Sequence, residues 1–147
     1  MNAVRMARSD RREVTRWAGE FAPRRSSVSE ARRTARRLLP LMDFTGDLDS
    51  AVLIVSELVT NAVNQSQGEE TALLVRLSVS EGALTIGVTD HSRTVPRPSH
   101  APMDTDAESG RGLLLAMALG ATLTWKRGRT GLREVCALLP ATSGGTR

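Results

Sequence analysis

The chain has 147 residues, of which 40% are hydrophobic and 24% charged, with one cysteine. This is the make-up of a single domain with its own core. It excludes a collagen, a largely disordered chain, an internal disulfide and, with no apolar run near ~18 residues, a membrane span.

Residues 1–14 read as a flexible basic tail, 15–140 as one domain, and 141–147 as a second flexible tail. Trp17–Ala22 has the look of a short edge strand stopped by Pro23. A helix opens near Val28 or Ser29, with Ala31, Ala35, Leu38 and Leu39 as a modest apolar stripe, and Pro40 lies close to its end. Asp47 is placed to cap the next helix, which runs to about Gln65. There Leu48, Ala51, Val52, Val55, Leu58, Val59, Ala62 and Val63 keep helical spacing for four turns. Leu73, Val75, Leu77 and Val79 alternate with polar residues, Glu81-Gly82 makes a hairpin turn, and Leu84, Ile86 and Val88 alternate again. Residues 91–109 are a long loop with three prolines, the kind that is uncommon in a compact domain unless it has a function. A short helix, Leu113–Leu119, ends at Gly120. Strands over 121–126 and 134–139 flank a turn at 128–131. Trp125, Met117 and Cys136 are expected in the core, and His91 and His100 in solvent. Helices and strands in runs, without strict alternation, predict an α+β layer of helices on one face of a mixed sheet.

The charge is unevenly placed. Residues 1–40 hold eleven Arg against four acids, whereas residues 41–147 hold nine basic residues against twelve acids. Nineteen of the twenty basic residues are Arg, the bias of a GC-rich genome, so the basic N-terminus reads first as solvated surface. A patch for an acidic partner or a nucleic acid is the second reading. The aromatic residues are Trp17, Trp125, Phe21 and Phe44, with no Tyr, which argues against nucleic-acid binding by base stacking.

Three features could carry chemistry. Glu57 and Asn61 are spaced i, i+4 on the polar side of the long helix. The carboxylate can accept a proton or orient a hydroxyl, and the carboxamide oxygen can ligate a hard cation such as Mg²⁺. On spacing alone, they equally suit two solvated residues of an amphipathic helix. Asp90 is the next residue on the inward face of Leu84, Ile86 and Val88. A buried carboxylate needs a partner, for which a ligand amine is one candidate; a turn residue or a cap is the plainer reading. Ser109-Gly110-Arg111-Gly112-Leu113 opens a helix with exposed backbone N–H groups that favour phosphate. It also suits a simple loop-to-helix junction, and it is neither a Walker A loop nor a dinucleotide fingerprint.

In order and spacing, these features resemble the Bergerat ATP-binding fold of the GHKL superfamily. Val55-Ser-Glu-Leu-Val-Thr-Asn-Ala-Val63 is similar to its N-box, in the form found in small anti-sigma-factor serine/threonine kinases. Val88-Thr-Asp-His-Ser92 with Pro96 is similar to the G1 box of that subgroup, and Glu108-Ser-Gly-Arg-Gly-Leu-Leu-Leu115 to its G2 box. The resemblance covers about residues 17–140. Asn64-Gln65 stand where relatives commonly carry Arg-His, and no phosphoacceptor-histidine hairpin is present.

The resemblance implies a two-layer α+β sandwich, with helices on one face of a mixed, mostly antiparallel sheet. It implies ATP and Mg²⁺ as cofactors. Asn61 then coordinates the metal, Glu57 is the catalytic base, Asp90 accepts a hydrogen bond from the adenine amine, and Gly110, Arg111, Gly112 and Leu113 hold the phosphates. Asn64 and Ser92 become pocket neighbours, and the 91–109 loop a lid. The implied function is a cytoplasmic protein-serine/threonine kinase that phosphorylates an antagonist protein and regulates a sigma factor. A nucleotide-binding module that transfers no phosphate and acts by docking is the alternative. The resemblance also allows a homodimer, which no sequence feature demands.

Overall fold

The computed structural model describes residues 7–9, 14–66, 71–90, 114, 116–127 and 132–142. Six strands form one sheet: β1 (Ala7–Ser9), β2 (Val14–Phe21), β3 (Leu73–Ser80), β4 (Ala83–Asp90), β5 (Thr122–Arg127) and β6 (Arg133–Leu139). Their order is β1-β2-β3-β4-β6-β5, and every pairing is antiparallel. Two helices, α1 (Ser26–Leu38) and α2 (Leu48–Gln65), pack on each other, and α2 packs on β3, β4 and β6. This is the α+β class read from the sequence, with one face of an antiparallel sheet under a helical layer.

The alternation of side chains along each strand builds the core. Leu73, Val75, Leu77 and Val79 on β3 are buried with Leu84, Ile86 and Val88 on β4 and Val135, Ala137 and Leu139 on β6. Ala51, Val52, Ile54, Val55, Leu58, Val59 and Ala62 meet them from α2. On β2 the indole of Trp17 lies over Gly19, where a Cβ would fall 2.6 Å from ring carbons. The same indole meets Phe21 at a centroid distance of 6.3 Å.

Local chemistry sets the ends of the elements. The Asp47 carboxylate accepts from Ser50 N–H at 2.9 Å and from Ser50 Oγ at 2.6 Å, satisfying a donor that the first turn of α2 would leave orphaned. Those bonds hold the Asp47 carboxyl below its ordinary range. Glu81 and Gly82 both have positive φ, 51° and 80°, as a two-residue type I′ hairpin requires. At the end of the helical turn over 116–118, Gly120 takes φ 97°, while Ala121 N–H donates to the carbonyl of Ala116 and Gly120 N–H to that of Met117. This is a Schellman stop.

Several expectations are corrected. Ala7–Ser9, assigned to a flexible tail, pairs with β2. The strand read at Trp17–Ala22 is Val14–Phe21 and is internal, because pairing partners on both sides satisfy its backbone. Helix α1 begins at Ser26, where the buried Ser27 hydroxyl donates to the carbonyl of Ala22 at 2.6 Å and ties the first turn to the end of β2. Trp125 and Met117, expected in the core, are 41% and 44% exposed. Trp125 lies on β5, an edge of the sheet that α2 does not cover. Cys136 is half-buried on the sheet face opposite the helices, beside Glu134, and burial pushes its thiol pKa up.

Candidate functional site

Two contacts give α2 its direction across the sheet. Just before the helix, Thr45 N–H donates to the carbonyl of Gly82, in the β3–β4 turn, at 3.3 Å. Thr142, beyond the end of β6, donates its hydroxyl to the Thr45 carbonyl. The N-terminus of α2 therefore stands at the turn end of the sheet. Its 18 residues span about 27 Å at ~1.5 Å each, close to the reach of eight strand residues at ~3.3 Å each. The C-terminal half of α2 is thus carried to the opposite end, where β4 finishes at Asp90 and β6 starts at Arg133.

Glu57, Asn61 and Asn64 follow one another at i, i+4 and i+7, so they line one face of that C-terminal half. Asn61 is only 6% exposed. Glu57 is half-buried one turn earlier; loss of water raises its pKa above the ordinary 4.5. Asn64 lies on the same face but is exposed.

At the sheet end, the buried carboxylate of Asp90 has a partner within the chain. Arg133 Nη2 donates to Asp90 Oδ2 at 2.7 Å, with both side chains at most 2% exposed. The two residues are register partners on β4 and β6. Arg133 was missed in the sequence because the strand was read from residue 134. Begun one residue earlier, its inward face reads Arg133, Val135, Ala137, Leu139, and a cation heading an apolar face is the signal for a buried acid.

By the lengths of α2 and the strands, Asn61 and Asn64 lie toward the sheet end of Asp90 and its strand partner Arg133, with Glu57 nearer the middle of the sheet. Ser92, Gly110, Arg111, Gly112, Leu113 and the 91–109 loop lie outside the described residues. Among the described residues, no group of three or more His, Cys, Asp or Glu is placed to hold a metal ion, and no helix is long and apolar enough to cross a membrane.

The antiparallel sheet under two helices carries an acid at the tip of β4 and an amide on the helix that covers it. Residues 6–137 match the model of the histidine kinase-like ATPase domain. The chain belongs to that family, a GHKL-type ATP-binding domain. Among solved structures, it is similar to the histidine kinase domain of the blue-light activated histidine kinase from Erythrobacter litoralis EL346. The identity is 29% and the TM-score 0.44, over 65% of this chain and 45% of that one. The chain thus spans less than half the length of that neighbour. No curated protein sequence matches it.

Proposed function

We propose that the chain is an ATP-dependent protein-serine/threonine kinase of the anti-sigma-factor type, phosphorylating an antagonist protein and so regulating a sigma factor. The observation that carries this reading is the placement of Asn61, 6% exposed on a helix that packs on β4, with Glu57 one turn before it. A hard oxygen donor held in this way fits Mg²⁺, which takes few protein ligands and fills its shell with water and phosphate oxygens. When bound, the metal neutralises phosphate charge.

The other residues then have distinct tasks. Glu57, its pKa raised by desolvation, takes the proton from the acceptor hydroxyl as that oxygen bonds to the terminal phosphorus and ADP departs with the electrons of the broken P–O bond. Asp90 accepts from the amine of the base. Gly110, Arg111, Gly112 and Leu113 hold the phosphates, and Asn64 and Ser92 border them. The partners are an antagonist protein bearing the hydroxyl and a sigma factor.

The test is incubation of the chain with labelled ATP, Mg²⁺ and a candidate antagonist. Label on the partner with wild type but not with Glu57→Ala supports the kinase. ATP binding without transfer to any candidate antagonist supports a docking module instead.

A further inference from the structure

The nucleotide reading gives no task to the arginines at and along α1. Arg24, Arg25, Arg32, Arg33, Arg36 and Arg37 are all exposed, and Glu30 is the one acid among residues 24–37. We propose that this face of α1 is a docking surface for an acidic protein segment that ends on an apolar side chain. Such docking needs no nucleotide and is independent of the residues proposed to hold one.

Burial of one side of α1 creates the face. Ser27, Ala31, Ala35 and Leu38 are buried, and α1 packs on α2. At ~100° per residue, Arg25, Arg32, Arg33, Arg36 and Arg37 share an arc of about 140° on the opposite side and run about 18 Å along the axis. Only Arg36 and Arg37 suit the helix dipole, at its C-terminal end. Like charges one turn apart, Arg32 with Arg36 and Arg33 with Arg37, repel. Arg24 and Arg25 stand at the N-terminus, where the dipole favours acids. The first turn holds no acid, and Arg25 makes no side-chain cap. A GC-rich genome explains the choice of Arg over Lys but not this placement. Carboxylates from a partner offset both penalties.

Two observations set the chemistry of the occupant. Arg36 Nη1 donates to Asp49 Oδ1 at 3.0 Å, so the face already takes a carboxylate. A planar guanidinium matches that group with paired N–H donors. Beyond Arg37 the chain winds on into a 3₁₀ turn (Leu39–Met42), in which Leu41 is 63% exposed. Asp43, Asp47 and Asp49 follow and are also exposed. A nucleic-acid backbone laid along the arginines would pass these carboxylates, of which Asp49 is already at Arg36, and would leave Leu41 unused. A peptide can meet the arginines with acids and Leu41 with an apolar residue. An acidic protein segment is therefore the better match.

The experiment is fluorescence anisotropy of the full chain with three labelled probes. One is a helical peptide of about five turns with glutamates on one face and a leucine at one end. The second has serine in place of that leucine, and the third is a DNA duplex of matching length. Wild type is expected to bind the leucine peptide about tenfold more tightly than the other two probes, and to lose affinity as salt screens the exposed charges. Arg32→Glu with Arg36→Glu should weaken both peptides by about tenfold or more. Leu41→Ser should weaken only the leucine peptide, by about tenfold. Arg25→Asp should weaken both peptides by about threefold yet raise the unfolding temperature, because an acid suits a helix N-terminus. An arginine with only a structural role would not separate those two readouts. Binding of neither peptide, equal affinity of wild type for the two peptides, or unchanged binding by the double glutamate variant overturns the inference. Tighter binding of the duplex, insensitive to Leu41→Ser, overturns it in favour of nucleic acid. The wild-type ranking of the probes decides even where a variant fails to fold.

Discussion

Arg133 donates to Asp90 at 2.7 Å from a strand forty-three positions further along the chain, and water reaches neither side chain. Removing one partner of such a pair strands the other charge in the interior. Arg133→Met is expected to destabilise the fold by about 3–5 kcal/mol. The double variant Asp90→Leu with Arg133→Met should recover most of that loss, since apolar groups of similar volume replace a buried pair at little net cost. Urea unfolding of the three proteins measures both; a double variant no more stable than the single would show that the pair itself is required.

Asn61 and Glu57 sit one turn apart on α2, and the proposed function gives them different tasks. Asn61→Ala is expected to weaken Mg²⁺-dependent ATP binding by about tenfold or more, as loss of a charge-assisted contact implies. Glu57→Ala should leave that affinity near wild type while removing phosphoryl transfer. Calorimetry with Mg-ATP and with a non-hydrolysable analogue separates the two. An Asn61→Ala protein with wild-type affinity removes Asn61 from the site.

Glu57 also makes a pH prediction. Its pKa in the folded chain is raised above 4.5 by desolvation, so the folded state holds this proton more tightly than the unfolded one. The stability it contributes is present in full below about 4.5 and is lost as the pH rises through the folded value. Glu57→Gln should therefore melt higher than wild type at neutral pH, with the gain vanishing in acid. Melting temperatures of both proteins across that range test the sign. The transfer rate should fall on the acid side above the ordinary glutamate range, because only the deprotonated carboxylate is a base.

Two glycines are required for opposite reasons. At Gly19 a Cβ would lie 2.6 Å from the Trp17 ring, so Gly19→Ala should cost about 1–3 kcal/mol through overpacking. At Gly120 an added Cβ would meet open space, but φ is 97°. Gly120→Ala should cost about 1 kcal/mol from backbone conformation alone. Replacing Trp17 by Leu should relieve the first substitution and leave the second unchanged, which a double-mutant cycle reads directly.

Much of this was legible along the chain because the physics that sets it is local. Asp47 announces the start of α2 by its capping chemistry, and Glu81-Gly82 marks a turn through the backbone freedom it needs. The spacing of Glu57 and Asn61 puts them on one helix face, and the alternation from Leu84 to Val88 turns Asp90 inward. Each of these readings uses residues within a few positions of one another. Trp125 was misplaced because its exposure depends on sheet order: β5 follows β4 in the chain yet lies outside β6. Strand Ala7–Ser9 carries no period of its own and exists through its pairing with β2.

The sequence by itself determined the elements, the face each residue takes on its own helix or strand, and the candidate groups Glu57, Asn61 and Asp90. Hydrogen-bonding periods and capping are short-range, and they survive without knowledge of the rest of the chain. The tertiary structure was needed to show that α2 packs on β4 and β6, and that Arg133 is a partner of the Asp90 carboxylate. Those relations join residues far apart in sequence, where register and the direction of packing, rather than local propensity, determine which groups meet.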